Sequence, residues 1–393
     1  MSRFLFVVPP LVGHINPTVG VAAELTRRGH QVAWAGVPEV VEPLVGEQAA
    51  VHRCAAPPLN DPALLRPPSL RGPAALKFLW ERFLVPLAEA MAPGIRSAVR
   101  EFRPDVLIAD QQAVAGGLVA EQLGVAWATS ATTSAGFTAL ADLPKVEEWI
   151  AEVLQGLRRR IGDPAGTVDP RLSDRLVLTF SSRELVGPGN FGGQVRFVGP
   201  SVSSRPVTSG FPWEWLDPGL ATVLVTLGTA NGEAGGDFLT RCAEAVGARS
   251  DRMQAVVVDP SGTVSGTGER VLVRRGVPQL ALLERCDAVI CHAGHNTVCE
   301  ALWHGRPLVV APIRDDQPTI AGQVVDAGAG VRVRFNRATA DHLGTALDTV
   351  LDEPGFRAAA VRVGRSLRAS GGPAVAAVHL EQLVRSRALS GRF

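Results

Sequence analysis

Seventeen residues in the second half of the chain, CHAGHNTVCEALWHGRP from Cys291 to Pro307, hold three histidines, two cysteines, an asparagine, a threonine and a glutamate. Those side chains offer three kinds of chemistry. Cys291, His292, His295 and Cys299 are donors of the sort that bind zinc, with His295 and Cys299 four residues apart, as on one helix face. Cys291 closes an apolar run, however, and Cys299 falls in an apolar helical stretch, where a free cysteine is an ordinary small buried side chain. No metal is therefore expected. Thr297 and Glu300 fit a capping box, hydroxyl and carboxylate satisfying the open amides of a first helical turn. A cap leaves His292, Gly294, His295 and Asn296 unexplained. An anion site accounts for the whole set: glycine admits a close backbone approach, a helix start presents unpaired N–H groups and a positive dipole end, and His, Asn and Thr add donors.

Such a turn needs strands and helices to hold it. RFLFVV reads as a strand, a loop follows, and PTVGVAAELTRRGH then sets Val21, Ala22 and Leu25 on one helical stripe before the strand QVAWAG. The pattern returns in PDVLIAD, AVAGGLVAEQLG and VAWATS, so the first half is α/β with parallel strands and right-handed crossovers. Residues from about 185 to 220 are rich in Gly, Pro and Ser and read as a connection between domains. A second α/β series follows in TVLVTLG, MQAVVVD, RVLVRR, DAVICHAG, RPLVVAP and GVRVRF, nearly all apolar, as strands buried on both faces must be. The expected boundaries are 1–205 and 206–373, with an amphipathic helix from about 374 to 393 that packs back on the first domain. Ligands of open α/β sheets bind beyond the carboxyl ends of the strands. That rule selects PPLVGHINP, the end of PDVLIAD, and the stretch after DAVIC.

The run from Gly276 to Gly330 resembles the donor-binding signature of the two-domain, nucleotide-sugar-dependent glycosyltransferases of family 1, the GT-B type that includes bacterial natural-product and macrolide enzymes. Their Pro-Gln pair, His-x-Gly-x-Asn/Gly-Ser/Thr turn, glutamate eight residues after that histidine and later Asp-Gln stand here as Pro278-Gln279, His292 to Thr297, Glu300 and Asp316-Gln317. The resemblance implies two Rossmann-like doubly wound domains facing across a cleft. It also implies that His292, Gly294, Asn296, Thr297 and Thr229 hold the donor diphosphate. Glu300 would bind the ribose hydroxyls, Val277 and Gln279 the base, and Asp316 and Gln317 the transferred sugar. Two departures stand out. Gly276 replaces a base-stacking tryptophan, leaving Arg275 as a candidate cover for the base, and His295 replaces a tryptophan or glycine.

The resemblance extends to the first half. GHINP matches a Gly-His-x-x-Pro element in which the histidine, here His14, deprotonates the acceptor hydroxyl; neutral imidazole suits that task near pH 7. A carboxylate on its other nitrogen would fix the tautomer, and Asp110, closing its strand, matches the family partner. Asp105 opens the same strand and lies at its wrong end. The implied reaction inverts the anomeric carbon. No D-x-D cation motif occurs in the chain, so the leaving diphosphate is expected to rely on helix dipole and hydrogen-bond donors. Phe78, Leu79, Trp80, Phe83 and Leu84, with the ATTSAGFTALADL segment, offer apolar surface for a lipophilic acceptor, or ordinary core.

Composition limits the alternatives. With 39 basic against 38 acidic side chains, the chain lacks the charge for gripping nucleic acid or anionic membrane. It has no apolar run of about 18 residues to span a bilayer, and its start lacks a cleavable signal. Five cysteines without a C-x-x-C suggest reduced thiols and a cytoplasmic protein. GPGNFG satisfies G-x-G-x-x-G but stands outside any βαβ unit, against an NAD enzyme. The expected partners are a UDP- or dTDP-hexose, as co-substrate with no bound cofactor, and a small lipophilic acceptor, with a homodimer left open. A nucleotide-sugar epimerase of the same fold and an inactive sugar-nucleotide-binding partner protein are the rival readings.

Overall fold

The apolar runs become strands of two parallel sheets in the computed structural model, which describes residues 1–58, 70, 72–138, 144–202, 210–228, 235–265 and 268–390. The first sheet holds β1 (Arg3–Val7), β2 (Gln31–Gly36), β3 (Ala50–Arg53), β4 (Val106–Asp110), β5 (Trp127–Ala131), β6 (Val177–Thr179) and β7 (Val195–Phe197), in spatial order 3-2-1-4-5-6-7. The second holds β8 (Ala221–Thr226), β9 (Met253–Val258), β10 (Val271–Arg274), β11 (Ala288–Cys291), β12 (Leu308–Val310) and β13 (Gly330–Arg332), in order 10-9-8-11-12-13. β7 falls inside the Gly/Pro-rich stretch read as a connection. It pairs with β6, so the first sheet reaches further along the chain than periodicity suggested.

Period-two alternation explains the layers. On β1, Leu5 and Val7 enter one core with Met91 and Ile95 of the helix Val85–Phe102, while Phe4 and Phe6 enter another with Ile15, Val21 and Leu25 of the helix Val12–Arg27. On β8, Val223 and Val225 face one core and Leu224 the other. Both sheets are thus covered on both faces, which parallel pairing demands.

Contacts divide the chain into two units, one of residues 1–181, 189–203 and 370–393, the other of residues 182–188 and 204–369. The helix Gly372–Ser390 belongs to the first unit: Ala376, Ala377, Leu380 and Leu383 join the core of Phe4, Phe6 and Leu25. In each sheet the strand order reverses once. The chain passes from β1 out to β2 and β3 and returns to the other side as β4; it passes from β8 to β9 and β10 and returns as β11. The reversals open crevices at the carboxyl ends of β1/β4 and β8/β11, where such sheets bind ligands. Among the described residues no helix is long and apolar enough to cross a membrane.

Candidate functional sites

In the first unit, the crevice between β1 and β4 is lined by His14 and Asp110. The helix after β1 starts at Val12, with Leu11 extended before it, not at Pro17 as the sequence suggested. Pro17 lies inside the helix, where its ring already has a helical φ and costs one ladder bond. His14 therefore stands on a first helical turn instead of a loop, which fixes its backbone. Asp110 is the last residue of β4, its side chain fully buried, and Oδ1 lies 2.9 Å from His14 Nδ1. The amide of Gln112 donates to the same oxygen at 2.8 Å. A carboxylate only accepts, so Nδ1 carries the ring proton and Nε2 keeps its lone pair. His14 is 16% exposed, enough for that lone pair to meet a substrate. Asp105 accepts from the amide of Arg3 at the opposite end of the strand.

A third side chain joins this pair, one that sequence pattern did not single out. Thr132, just past β5, is buried; its Oγ1 lies 2.8 Å from His14 Nδ1 and donates to Asp110 Oδ2 at 3.0 Å. The register aligns Val7 with Ala109 and Asp110 with Ser130, so the carboxyl ends of β1, β4 and β5 converge here.

The apolar stretch proposed for an acceptor divides. Trp80 and Leu84 are buried in the core around Met91, and Leu79 and Phe83 pack against it, so these four are core rather than open surface. Phe78 is half-buried. Residues 139–143 of the second apolar segment lie outside the described residues.

In the second unit, β11 ends at Cys291, and the helix His295–Trp303 starts three residues on. Gly294 is the residue before the first turn, so Thr297 sits within that turn and Glu300 a turn beyond it; the capping box is not formed. Glu300, 2% exposed, accepts from Gln279 Nε2 at 2.7 Å, which places the residues expected at ribose and base against each other. Val277, two residues before Gln279, packs against the same core as the helix. His295 is buried, Nε2 3.5 Å from Cys299 Sγ, and Gly294 and Asn296 are half-exposed at the helix start.

Ala293 adopts a left-handed φ of 64°, an uncommon strain for a residue with a Cβ, and it turns the chain sharply from strand to helix. His292 is held between two glycines by that turn. A Cβ at Gly294 would lie 2.4 Å from its Nε2, and one at Gly228, just beyond β8, 2.8 Å from its Cε1. The sequence reading missed Gly228; Thr229, which follows it, lies outside the described residues. Burial pushes the His292 ring down to about 4, with the charge of Arg314 adding to the effect and the backbone of Thr226 opposing it. The ring is neutral near pH 7. Arg314 is a second residue the sequence did not single out, a cation acting on this ring.

Gln317 opens the helix Gln317–Asp326, and its Oε1 accepts from the amides of Ile313 and Arg314 at 2.9 and 3.0 Å. Its oxygen is thus committed to shaping the loop, in which Asp315 is left-handed at φ 56°. Asp316 is half-buried directly before that helix. Cys291 is a buried thiol, pushed up to about 12 by burial.

Residues 262–383 match the family model described as erythromycin biosynthesis protein CIII-like, C-terminal domain. The chain is 28% identical to 4'-demethylrebeccamycin synthase of Lentzea aerocolonigenes, covering 92% of this chain and 94% of that one. It is 27% identical to NDP-glycosyltransferase YjiC of Bacillus subtilis, covering 97% of each. Among solved structures it resembles the glycotransferase of kitacinnamycin, with a TM-score of 0.79 at 25% identity over 98% of this chain and 99% of that one.

Proposed function

Taking as premise that the chain belongs to the family 1 nucleotide-sugar-dependent glycosyltransferases of GT-B fold, we propose that it moves a hexose from a nucleoside diphosphate sugar to a hydroxyl of a lipophilic natural product, inverting the anomeric carbon without a metal. The observation that carries this reading is the His14–Asp110 pair at the strand-order reversal of the first sheet. Nε2 of His14 takes the acceptor proton as its oxygen attacks the anomeric carbon from the face opposite the nucleotide. Asp110 stabilises the imidazolium that forms.

The leaving diphosphate is received in the second unit by the helix start at Gly294–Thr297, by the neutral His292 as a hydrogen-bond donor, by Arg314 and by Thr229. Glu300 takes the ribose, Val277 and Gln279 the base, and Asp316 the sugar hydroxyls with the amide group of Gln317. The donor is a UDP- or dTDP-hexose. Similarity to a 4'-demethylrebeccamycin synthase and to an NDP-glycosyltransferase supports a natural-product acceptor and a nucleoside diphosphate donor.

Incubation with labelled UDP-glucose and dTDP-glucose and a panel of polyketide and phenolic alcohols tests the assignment, with proton NMR of the product's anomeric centre. A β-glucoside from an α-linked donor is expected. A product of retained configuration, or epimerisation of the sugar nucleotide without any acceptor, overturns it.

A further inference from the structure

We propose that Gln279 and Glu300 read the nucleoside sugar as one unit, with Gln279 Oε1 taking the 2'-hydroxyl, so that the donor is a ribonucleotide such as a UDP-hexose and not its 2'-deoxy counterpart. The inference rests on the reading of Glu300 as the ribose contact and narrows a choice that reading leaves open.

The orientation of one amide carries it. Gln279 Nε2 donates to Glu300 Oε2 at 2.7 Å. A carboxylate has no proton to give, so the nitrogen of Gln279 must face it, and the amide oxygen points elsewhere. That oxygen meets no donor among the described residues, and it is not sealed from solvent in the half-buried side chain. It is left for a ligand.

The two side chains are held together by packing. Gln279 opens the short helix Gln279–Leu283 and Glu300 stands on the helix His295–Trp303; fully buried Leu282 and Leu283 of the first share a core with Val298, Ala301 and Leu302 of the second. The result is a fixed patch that accepts: an amide oxygen beside a carboxylate that is 2% exposed, whose lone pairs suit more than one donor. A ligand satisfying both must bring two donors side by side, as a vicinal diol does. The order of groups along a nucleotide then decides which hydroxyl goes where. The 2'-hydroxyl sits on the carbon next to the one bearing the base, and Gln279 belongs with Val277 to the proposed base subsite, so its oxygen takes the 2'-hydroxyl and Glu300 the 3'-hydroxyl. A 2'-deoxynucleotide keeps the second contact and turns a C–H group toward Oε1. Sites that hydrogen-bond a substrate hydroxyl reject the analogue lacking it, because the protein group is left unpaired.

Calorimetric titration with UDP, 5-methyl-UDP, dUDP and dTDP tests this, since the hydroxyl and the methyl vary independently across the four. UDP and 5-methyl-UDP should bind alike, with dUDP and dTDP weaker by about tenfold or more. Gln279→Leu removes Oε1, and the ratio of the dUDP and UDP Kd values should then fall to about twofold or less; the ratio cancels any harm done to both nucleotides alike. Equal binding of UDP and dUDP by the wild type overturns the proposal and leaves the transferase reading in place, for the oxygen would then face the base, whose edge is the same in both. A ratio that survives in Gln279→Leu also overturns it, because another group must read the hydroxyl. Binding of none of the four removes the nucleotide-sugar reading itself, and this inference with it.

Discussion

The two histidines of the proposed mechanism are held in opposite ways. His14 has a carboxylate on Nδ1 and is prepared to become charged, whereas His292 is squeezed between Gly228 and Gly294 beside Arg314 and resists charge. His14→Ala should therefore lower transfer by about 10²- to 10⁴-fold, the usual worth of a general base, while UDP affinity measured by calorimetry stays within twofold. Weakened UDP binding with surviving turnover would contradict the division of labour. His292 makes a separate prediction about pH. Its folded value of about 4 lies below the 6.5 of a free ring, so between those values the unfolded chain binds a proton that the folded one refuses. Stability is then fully present above about 6.5 and falls as pH is lowered toward 4, by about 3 kcal/mol for that shift. His304 and His379 are also held low by burial and titrate in the same direction, so the contribution of His292 is read as a difference. Urea midpoints of wild type and His292→Gln should diverge with pH across this window, the variant losing less on acidification; parallel curves would show that the ring is hydrated in the folded protein.

At the scale of elements, the turn from β11 into the helix His295–Trp303 leaves room for one imidazole and nothing more. Gly294 has an ordinary φ of −63°, so alanine there carries no backbone penalty, and its whole effect is the 2.4 Å collision with His292. Gly294→Ala should displace the ring and weaken UDP binding about tenfold or more, with unchanged circular dichroism, at an overpacking cost of about 1–3 kcal/mol. Unaltered affinity would mean that His292 does not face the diphosphate. These local facts were legible in the sequence to different depths. The strands announced themselves because runs such as VLIAD and TVLVT admit little but a doubly covered parallel sheet, and the crevices follow from strand order once the sheets exist. The helix starts were hidden: Pro17 is a good first-turn residue and Thr297 a good cap, yet each helix begins earlier, one behind an extended Leu11 and the other behind the left-handed Ala293. Thr132 was invisible because its partner lies 118 residues away, and no local pattern encodes a contact made by strand register.

At the scale of the molecule, the chain leaves its first unit, builds the second, and returns in the helix Gly372–Ser390 to complete the core it started from. Hydrophobic burial and polar ties both anchor the return. Leu380 is fully buried beside Phe4, Phe6 and Leu25, and Glu381 meets His30 at 3.0 Å and Arg28 at 3.3 Å. Hydrogen bonding from His30, with the charge of Arg28, holds the Glu381 carboxyl below its usual range, while Arg28 also reaches the carbonyl of Ala374. The helix covered in this way is Val12–Arg27, the one that carries His14 in its first turn. Its far end is therefore fastened by residues more than 350 positions away in the chain. Leu380→Ala removes apolar volume from that core and should cost about 2–5 kcal/mol, within the range for burying and then deleting a leucine. Because the residues proposed to bind the donor belong to the other unit, UDP affinity should remain within twofold while the melting temperature drops and transfer is lost on warming. Calorimetric titration with UDP beside thermal unfolding checks both halves of this expectation. A variant that loses UDP binding at 25 °C in step with its stability would show that the two units unfold as one cooperative body and not as separate cores.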